Sequence, residues 1–397
     1  MMKDYNHTSG KQHILLLDQS RQSLPFLKAL KKAGHSVTIV CNSVLSEGYF
    51  SIYPNKRLLW PSYIKDKNKF EEKLLDYIST HKIDIVIAVG DVSADIVARN
   101  RDEILKYSKV TVPRLEVFSL AADKGNTMMF CMENNIPCPK TFLFDQANKR
   151  EIVHQIQYPV IVKPRRGNGA IGVIKFNDAD EVLNHFDRMH QSFGDLIIQE
   201  YIPHHECAQF CAEAFLDNES NLKVCVVVSK PRYYPIAGGT GTTYITVDRP
   251  DIVSTIKNLL EIMKWIGAAD VDLIVDTRDN IAKVVEINPR VAACIKVAFS
   301  AGINFADNHV RLANHLPIQN VKHYKLGVYL RNFVMETLWF ISATKEMRAN
   351  SFPKFFTFKN VVEETFSWSD PFTMLGYILG LLRKYSDMEK LKKKLHR

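Results

Sequence analysis

The sequence predicts a mixed α/β and α+β protein: a parallel-sheet N-terminal domain, a two-lobed unit after it, and a helical, basic C-terminal extension. Three observations carry this expectation. Between residues 13 and 120 apolar strands alternate with helical patterns, which implies parallel strands joined by right-handed crossovers. Of 17 glycines, three fall within 167–172 and three within 238–241, so two loops hold a large share of the backbone freedom. From about Val321 the composition turns to Phe, Trp and Lys.

Taken in order, HILLLD, SVTIVCN and IDIVIAVGD are strands, with helices over Ser23–Lys32 and around KFEEKLLDYISTH between them. Asp91 stands just past the last of these strands, at the carboxyl end where such sheets bind ligands, although a solvated loop aspartate reads equally well. A helix carrying Lys124 near its start runs to about Asn134, where NNIPCP terminates it. The stretch YPVIVKPRRGNGAIGVIKF then has the spacing G-x-G-x-x-G at Gly167, Gly169 and Gly172. A dinucleotide-binding turn needs a helix after the glycines. The residues after Gly172 are instead Val173-Ile174-Lys175-Phe176, a second strand, so the segment is a hairpin with a glycine-rich basic loop that can fold over phosphates. The expected units are 1–115, 116–190 with the glycine loop, 191–316, and the extension 317–397.

The formal net charge of +9 favours an anionic partner, yet Lys and Arg are spread along the chain without a nucleic-acid-binding signature. Seven cysteines without a C-x-x-C pair read as reduced thiols, and the N-terminal stretch is too short in apolar residues for a signal peptide, so a cytoplasmic protein is expected. His204, His205, Cys207 and Cys211 cluster in sequence, but ECAQFCAEAF alternates as a strand, which makes the thiols core residues.

A nucleoside triphosphate needs fixed cations, an apolar slot with a strand edge, and oxygen ligands for magnesium. Lys163 lies on a strand that should be buried, where an ammonium requires an anion, and Lys124 is a second phosphate cation. The strand LIIQEYIP reaches Pro203, which leaves backbone groups of Glu200 and Ile202 for an adenine edge; Glu206 is placed for ribose hydroxyls, or is a surface glutamate. In VDLIVDTRDNIAKVVEINPR, Asp272 and Glu286 lie on successive strands joined by a short turn and face each other across the ladder. Opposed carboxylates repel and so imply a bridging cation; Asn288 adds a neutral oxygen, and Arg290 projects by the same step of two. Lys230 and Arg232, in SKPRYYPIAGGTGTTYITVD, are candidate phosphate or carboxylate contacts, with Gly238, Gly239 and Gly241 leaving room for substrate. Lys296 stands six residues past Arg290, either reaching the same cavity or facing solvent.

These residues resemble the ATP-grasp superfamily, in its carboxylate-amine ligase-like branch, over roughly residues 13–315. The resemblance makes the N-terminal unit a pre-ATP-grasp domain and the two lobes an ATP-grasp domain. It assigns phosphate binding to Lys124 of the Asp123-Lys124 step, to Lys163 and to the mobile loop of Gly167, Gly169 and Gly172. It assigns the adenine hinge to Gln199, Glu200, Tyr201 and Ile202, the metal to Asp272, Glu286 and Asn288, and catalysis to Arg290. Many relatives carry glutamate or glutamine where Asp272 stands, and the shorter carboxylate shifts the metal slightly. The implied cofactors are ATP and Mg2+ or Mn2+, with two ions. The implied activity is ATP-dependent ligation: a carboxylate is activated as an acyl phosphate and attacked by an amine, leaving ADP and phosphate.

A carboxylase or carbamoyl-phosphate-synthase-like enzyme, and a non-catalytic ATP-binding regulator, are the competing expectations. No Met-Lys-Met carrier site is present for biotin, and the intact acidic and arginine set argues against a regulator. The expected partners are a small carboxylate and an amine, without nucleic acid; a homodimer is compatible with this. PFTMLGYILGLL followed by RKYSDMEKLKKKLHR is too short to span a bilayer but suits a peripheral contact with an anionic membrane, or a helix packed on its own domain.

Overall fold

The computed structural model describes residues 10–167, 171–204, 208–236 and 240–383. Gly169, Glu206, Gly238 and Gly239, together with His205, Cys207 and the basic segment 384–397, lie outside the described residues.

The first sheet is parallel: β1 (His13–Leu17), β2 (Ser36–Cys41), β3 (Lys56–Leu59), β4 (Ile85–Ala88) and β5 (Lys109–Val110), in the order β3-β2-β1-β4-β5. The near-continuous apolar runs of β1 and β4 follow from helices covering both faces. Strand order reverses between β1 and β4, the place where such sheets usually receive a ligand. Here the chain fills that crevice itself. Asp18, at the end of β1, accepts from the Gly90 N–H at 2.8 Å and from Ser93 Oγ, both at the start of the helix Asp91–Arg99, and from Tyr63 Oη at 2.7 Å. Its burial pushes the carboxyl up to about 6 against those three hydrogen bonds.

The second sheet has four strands, β6 (Thr141–Phe144), β7 (Val160–Pro164), β8 (Ile174–Phe176) and β9 (Leu196–Glu200), in the order β6-β9-β7-β8. β7 and β8 pair antiparallel with Val160 opposite Phe176, so the glycine motif closes a hairpin. Gly172 is required there: its φ is +76°, and a Cβ would sit 2.9 Å from Pro164 Cγ. This lobe has a core of its own, built on Phe144, Val160, Phe186 and Ile198 and covered by the helix Ala179–Phe193. β9 pairs with both β6 and β7, so the lobe boundary expected at 190 moves past Glu200.

The third sheet is formed by β10 (Gln209–Leu216), β11 (Leu222–Tyr234), β12 (Thr240–Thr246), β13 (Gly267–Val275), β14 (Ala282–Asn288), β15 (Tyr329–Arg331) and β16 (Val361–Glu363). Its order is β14-β13-β10-β11-β12-β15-β16. The extension expected to be helical therefore also supplies two strands to this sheet, besides the helices Phe333–Ser342 and Lys345–Asn350. One apolar core runs from the first sheet into the third, joining Leu15 and Phe70 to Ala212 and Val271. The first and third sheets thus share a core, and the second sheet is packed separately over the cleft.

Candidate active site

A cavity of about 430 Å³ opens between the second and third sheets, large enough for a nucleotide. Its floor is the β13–β14 ladder. Asp272 stands opposite Glu286, and Asp270 opposite Asn288, in the observed register. Arg290 follows with its Nη1 donating to Asp270 Oδ2 at 2.9 Å and its Nη2 to Asn288 Oδ1 at 3.1 Å. Its Nε lies 2.9 Å from Asp91 Oδ1, so the N-terminal domain reaches the site through the first residue of a helix. Two hydrogen bonds and the ion pair with Asp91 hold the guanidinium beside the cavity that Arg290 lines.

The opposed acids are half-buried, and cations meet them from three elements. Lys230, on β11, forms an ion pair with Asp272. Lys124, the first residue of the helix Lys124–Glu133, lies 3.1 Å from Glu286 Oε2 and donates to the Gly167 carbonyl at 2.6 Å. Lys163, on β7, is buried and donates to the Val285 carbonyl at 3.4 Å. Burial pushes the Lys163 ammonium down to about 8, although Glu286 opposes this. Burial, with Asp270 and Glu286 nearby, pushes Asp272 up to about 7 in spite of Lys230. Burial raises Glu286 too, but Lys124 and Lys163 outweigh it and hold that carboxyl below its usual range. Two carboxylates opposed across the ladder, with the Asn288 amide beside them, are hard oxygen donors of the kind magnesium takes.

The glycine hairpin is anchored at its root. The Lys124 N–H donates to the Arg165 carbonyl at 2.9 Å, and Arg165 Nε donates to Asp123 Oδ1 at 3.0 Å. Gly125 is needed where these elements cross, since a Cβ there would lie 2.7 Å from Leu143 Cδ2. Gly167 and Ile171 line the cavity from the hairpin side, and Gln199, Glu200, Tyr201 and Ile202 line it from the opposite rim. β9 is an interior strand, not a free edge. The Glu200 N–H is taken by the Lys140 carbonyl and that of Tyr201 by the Pro159 carbonyl, which confines any free hinge backbone to the residues after Tyr201.

Two expected positions are corrected. Arg232 does not line the cavity: it is buried, forms an ion pair with Glu336, donates to the Pro353 carbonyl, and stacks its guanidinium 4.9 Å from the Trp339 ring. The pairing of β11 with β12 shifts register on both sides of Arg232, which breaks the alternation with Lys230 and turns Tyr233 to the cavity instead. Lys296 does not line the cavity; half-buried, it donates to the carbonyls of Glu363, Glu364 and Phe366 at 2.6–3.2 Å and ties the helix Lys296–Ser300 to the extension.

Sequence reasoning missed Asp270 and Glu213. The step of two that led from Glu286 to Asn288 and Arg290 also leads back from Asp272 to Asp270. Glu213 lies opposite Asp270 on β10, fully buried, accepting from the Ala292 N–H at 3.2 Å. Burial and the neighbouring Asp270 raise its carboxyl well above the usual range. A second cavity of about 260 Å³ lies between the N-terminal domain and the glycine hairpin and shares Lys124, Arg166, Gly167 and Asn288 with the first. Asp91 and Phe118 line its other side.

The class that this fold and site point to is matched within the chain: residues 121–294 match the ATP-grasp domain family. Among its relatives, a D-aspartate ligase of Enterococcus faecium (strain Aus0004) is 24% identical over 259 residues, which cover 60% of this chain and 59% of that ligase. Among solved structures, the biotin carboxylase domain of Hydrogenobacter thermophilus 2-oxoglutarate carboxylase, crystallised with MgADP, ADP and bicarbonate, superposes with a TM-score of 0.68 at 15% identity, covering 80% of this chain and 73% of that one. The L-amino acid ligase of Bacillus licheniformis superposes with a TM-score of 0.61 at 18% identity, covering 77% and 75%.

Proposed function

We propose that the chain is an ATP-dependent ligase that joins a carboxylate to an amine. The reading rests above all on the half-buried Asp272–Glu286 pair facing Lys124, Lys163 and Lys230, with Arg290 held beside it. Asp272, Glu286 and Asn288 would hold magnesium, two ions in this reading, which when bound supplies charge neutralisation at the ATP phosphates. Lys124 and Lys163 bind the β and γ phosphates under the glycine hairpin, whose separate core lets it close as a lid. Gln199, Glu200, Tyr201 and Ile202 form the nucleoside end, and Glu206, outside the described residues, is assigned to the ribose hydroxyls by its sequence position alone.

The γ-phosphoryl group passes to the substrate carboxylate, giving an acyl phosphate; the amine attacks its carbonyl carbon and phosphate leaves. Lys230 and Arg290 offset the charge of the carboxylate and of the tetrahedral oxyanion. The second cavity, contiguous with the phosphate end, receives the reacting substrates, with the Asp91–Arg290 ion pair at its border. The ligase relatives favour an amino acid as the carboxylate, and a homodimer is part of the same reading.

The test is phosphate release from Mg·ATP across D- and L-amino acids, sugar acids and bicarbonate, each with and without amines, followed by mass spectrometry. Release that requires both a carboxylate and an amine, with an amide product, supports the ligase. Release with bicarbonate alone selects the carboxylase reading, and nucleotide binding without turnover under any pairing leaves a regulator.

A further inference from the structure

The extension carries a surface that the ligase reading does not use. Ile341, Phe352, Phe356 and Phe358 are 70%, 73%, 70% and 68% exposed, all within eighteen residues of chain. Large apolar side chains this open and this close together mark a docking surface. They stand on a firm base. The Phe340 and Phe355 rings lie 4.4 Å apart, Phe356 packs edge-on at 5.1 Å from Phe355, and Arg331 lies over both Phe333 and Phe358 at 5.5 and 5.3 Å. Arg348 covers Phe340 at 5.0 Å.

The charge between these residues is nearly all of one sign. Residues 341–359 hold Lys345, Arg348, Lys354 and Lys359 against a single acid, Glu346. A second copy of the chain seated on this surface would oppose like charges. Single-stranded nucleic acid wants flat ring faces aligned for successive bases to stack on, whereas the Phe355 and Phe356 rings meet at 89°. Protruding phenylalanines interleaved with lysines whose stems can lie along apolar surface match the boundary between headgroups and acyl chains. We propose that residues 341–359 dock the protein on an anionic lipid bilayer, with Phe352, Phe356 and Phe358 entering the interface and Lys345, Lys354 and Lys359 meeting the headgroups. No helix among the described residues is long and apolar enough to cross a membrane, so the contact is peripheral. Sequence patterning points to the basic segment beyond residue 371; residues 341–359 precede it in the chain, and their surface is independent of the ligase reading.

The test is co-sedimentation of the full-length chain with vesicles of phosphatidylcholine alone or with about 30% phosphatidylglycerol, at low and high salt. The expected result is binding to the anionic vesicles only, weakened by salt. Phe352→Ser/Phe356→Ser and Lys354→Glu/Lys359→Glu should each bind about tenfold more weakly or worse. Lys392→Gln/Lys393→Gln/Lys394→Gln, in the terminal segment, should stay within about threefold of the parent. Unchanged Mg·ATP binding and melting temperature establish that the variants are folded. The proposal is overturned if the parent ignores anionic vesicles or if the surface variants bind like the parent. It is equally overturned if light scattering finds a dimer that the Phe variant turns into a monomer, which would make a second copy the occupant.

Discussion

Replacing Lys163 with methionine should stabilise the ligand-free protein while abolishing its use of ATP. Lys163 is 8% exposed on β7, and burial lowers its ammonium from 10.5 to about 8. A tenfold loss of proton affinity is worth about 1.4 kcal/mol, so at pH 7 the folded state carries a cost of about 3 kcal/mol that a methionine of similar length avoids. The sign comes from counting protons. Between about pH 8 and 10.5 the unfolded chain holds the proton more tightly than the folded one, so stability rises with pH through that window. The advantage of the variant should therefore shrink to about 1 kcal/mol at about pH 10. In a chain of this length, about 3 kcal/mol corresponds to roughly 3–6 °C in apparent melting temperature, readable by differential scanning fluorimetry. Mg·ATP at a hundredfold excess over its Kd should add about 2.7 kcal/mol to the parent and little to the variant. A Lys163→Met protein that melts below the parent at pH 7, or a gap that does not narrow toward pH 10, would refute the idea that this lysine is held at a cost for its phosphate.

Three further outcomes are expected. Asp272→Asn and Glu286→Gln should each lower Mg-dependent phosphate release by on the order of 10²-fold or more, measured in a coupled ADP assay, because each removes one oxygen charge from the metal set. Glu336→Ala should cost about 3–5 kcal/mol in urea unfolding, since it leaves Arg232 and Arg331 buried without their shared carboxylate; the KM for ATP should not move, because neither arginine lines the cavity. His309 is buried, with Nδ1 2.7 Å from Thr111 Oγ1, and burial pushes its imidazole down from 6.5 to about 3. Below about pH 6.5 the unfolded chain takes up a proton that the folded one refuses, so about 2 kcal/mol is lost by pH 5. A His309→Leu variant should lack this loss relative to the parent, and equal pH slopes in the two would rule it out. Asp18 contributes with the opposite sign, its raised carboxyl favouring the folded state at low pH, but equally in both proteins.

Lys230 and Arg232 could both be cavity contacts only if β11 alternated strictly, but its register against β12 shifts on both sides of Arg232, next to Pro231, which cannot donate to the ladder. β9 reads as an edge because Pro203 ends it; whether β6 covers its other side depends on a strand more than fifty residues earlier. Lys296 finds three carbonyls of residues 363–366, contacts of a range that no local pattern encodes.

What was legible from the chain alone was local. Apolar alternation, a four-residue turn and charge opposition were enough to place Asp272 across from Glu286, and the missing helix after Gly172 was enough to make the glycine motif a hairpin, because each of these is decided by residues within about twenty positions of one another. What tertiary structure alone decided was long-range: the ion pair of Asp91 with Arg290 across two hundred residues, the buried Glu213 behind Asp270, the filling of the first sheet's crevice by Asp18, and the cationic aromatic surface of the extension. Backbone propensity and periodicity act over a few residues, whereas a buried charge takes the counter-charge that the packing of sheets brings to it, and no stretch of sequence carries that distance.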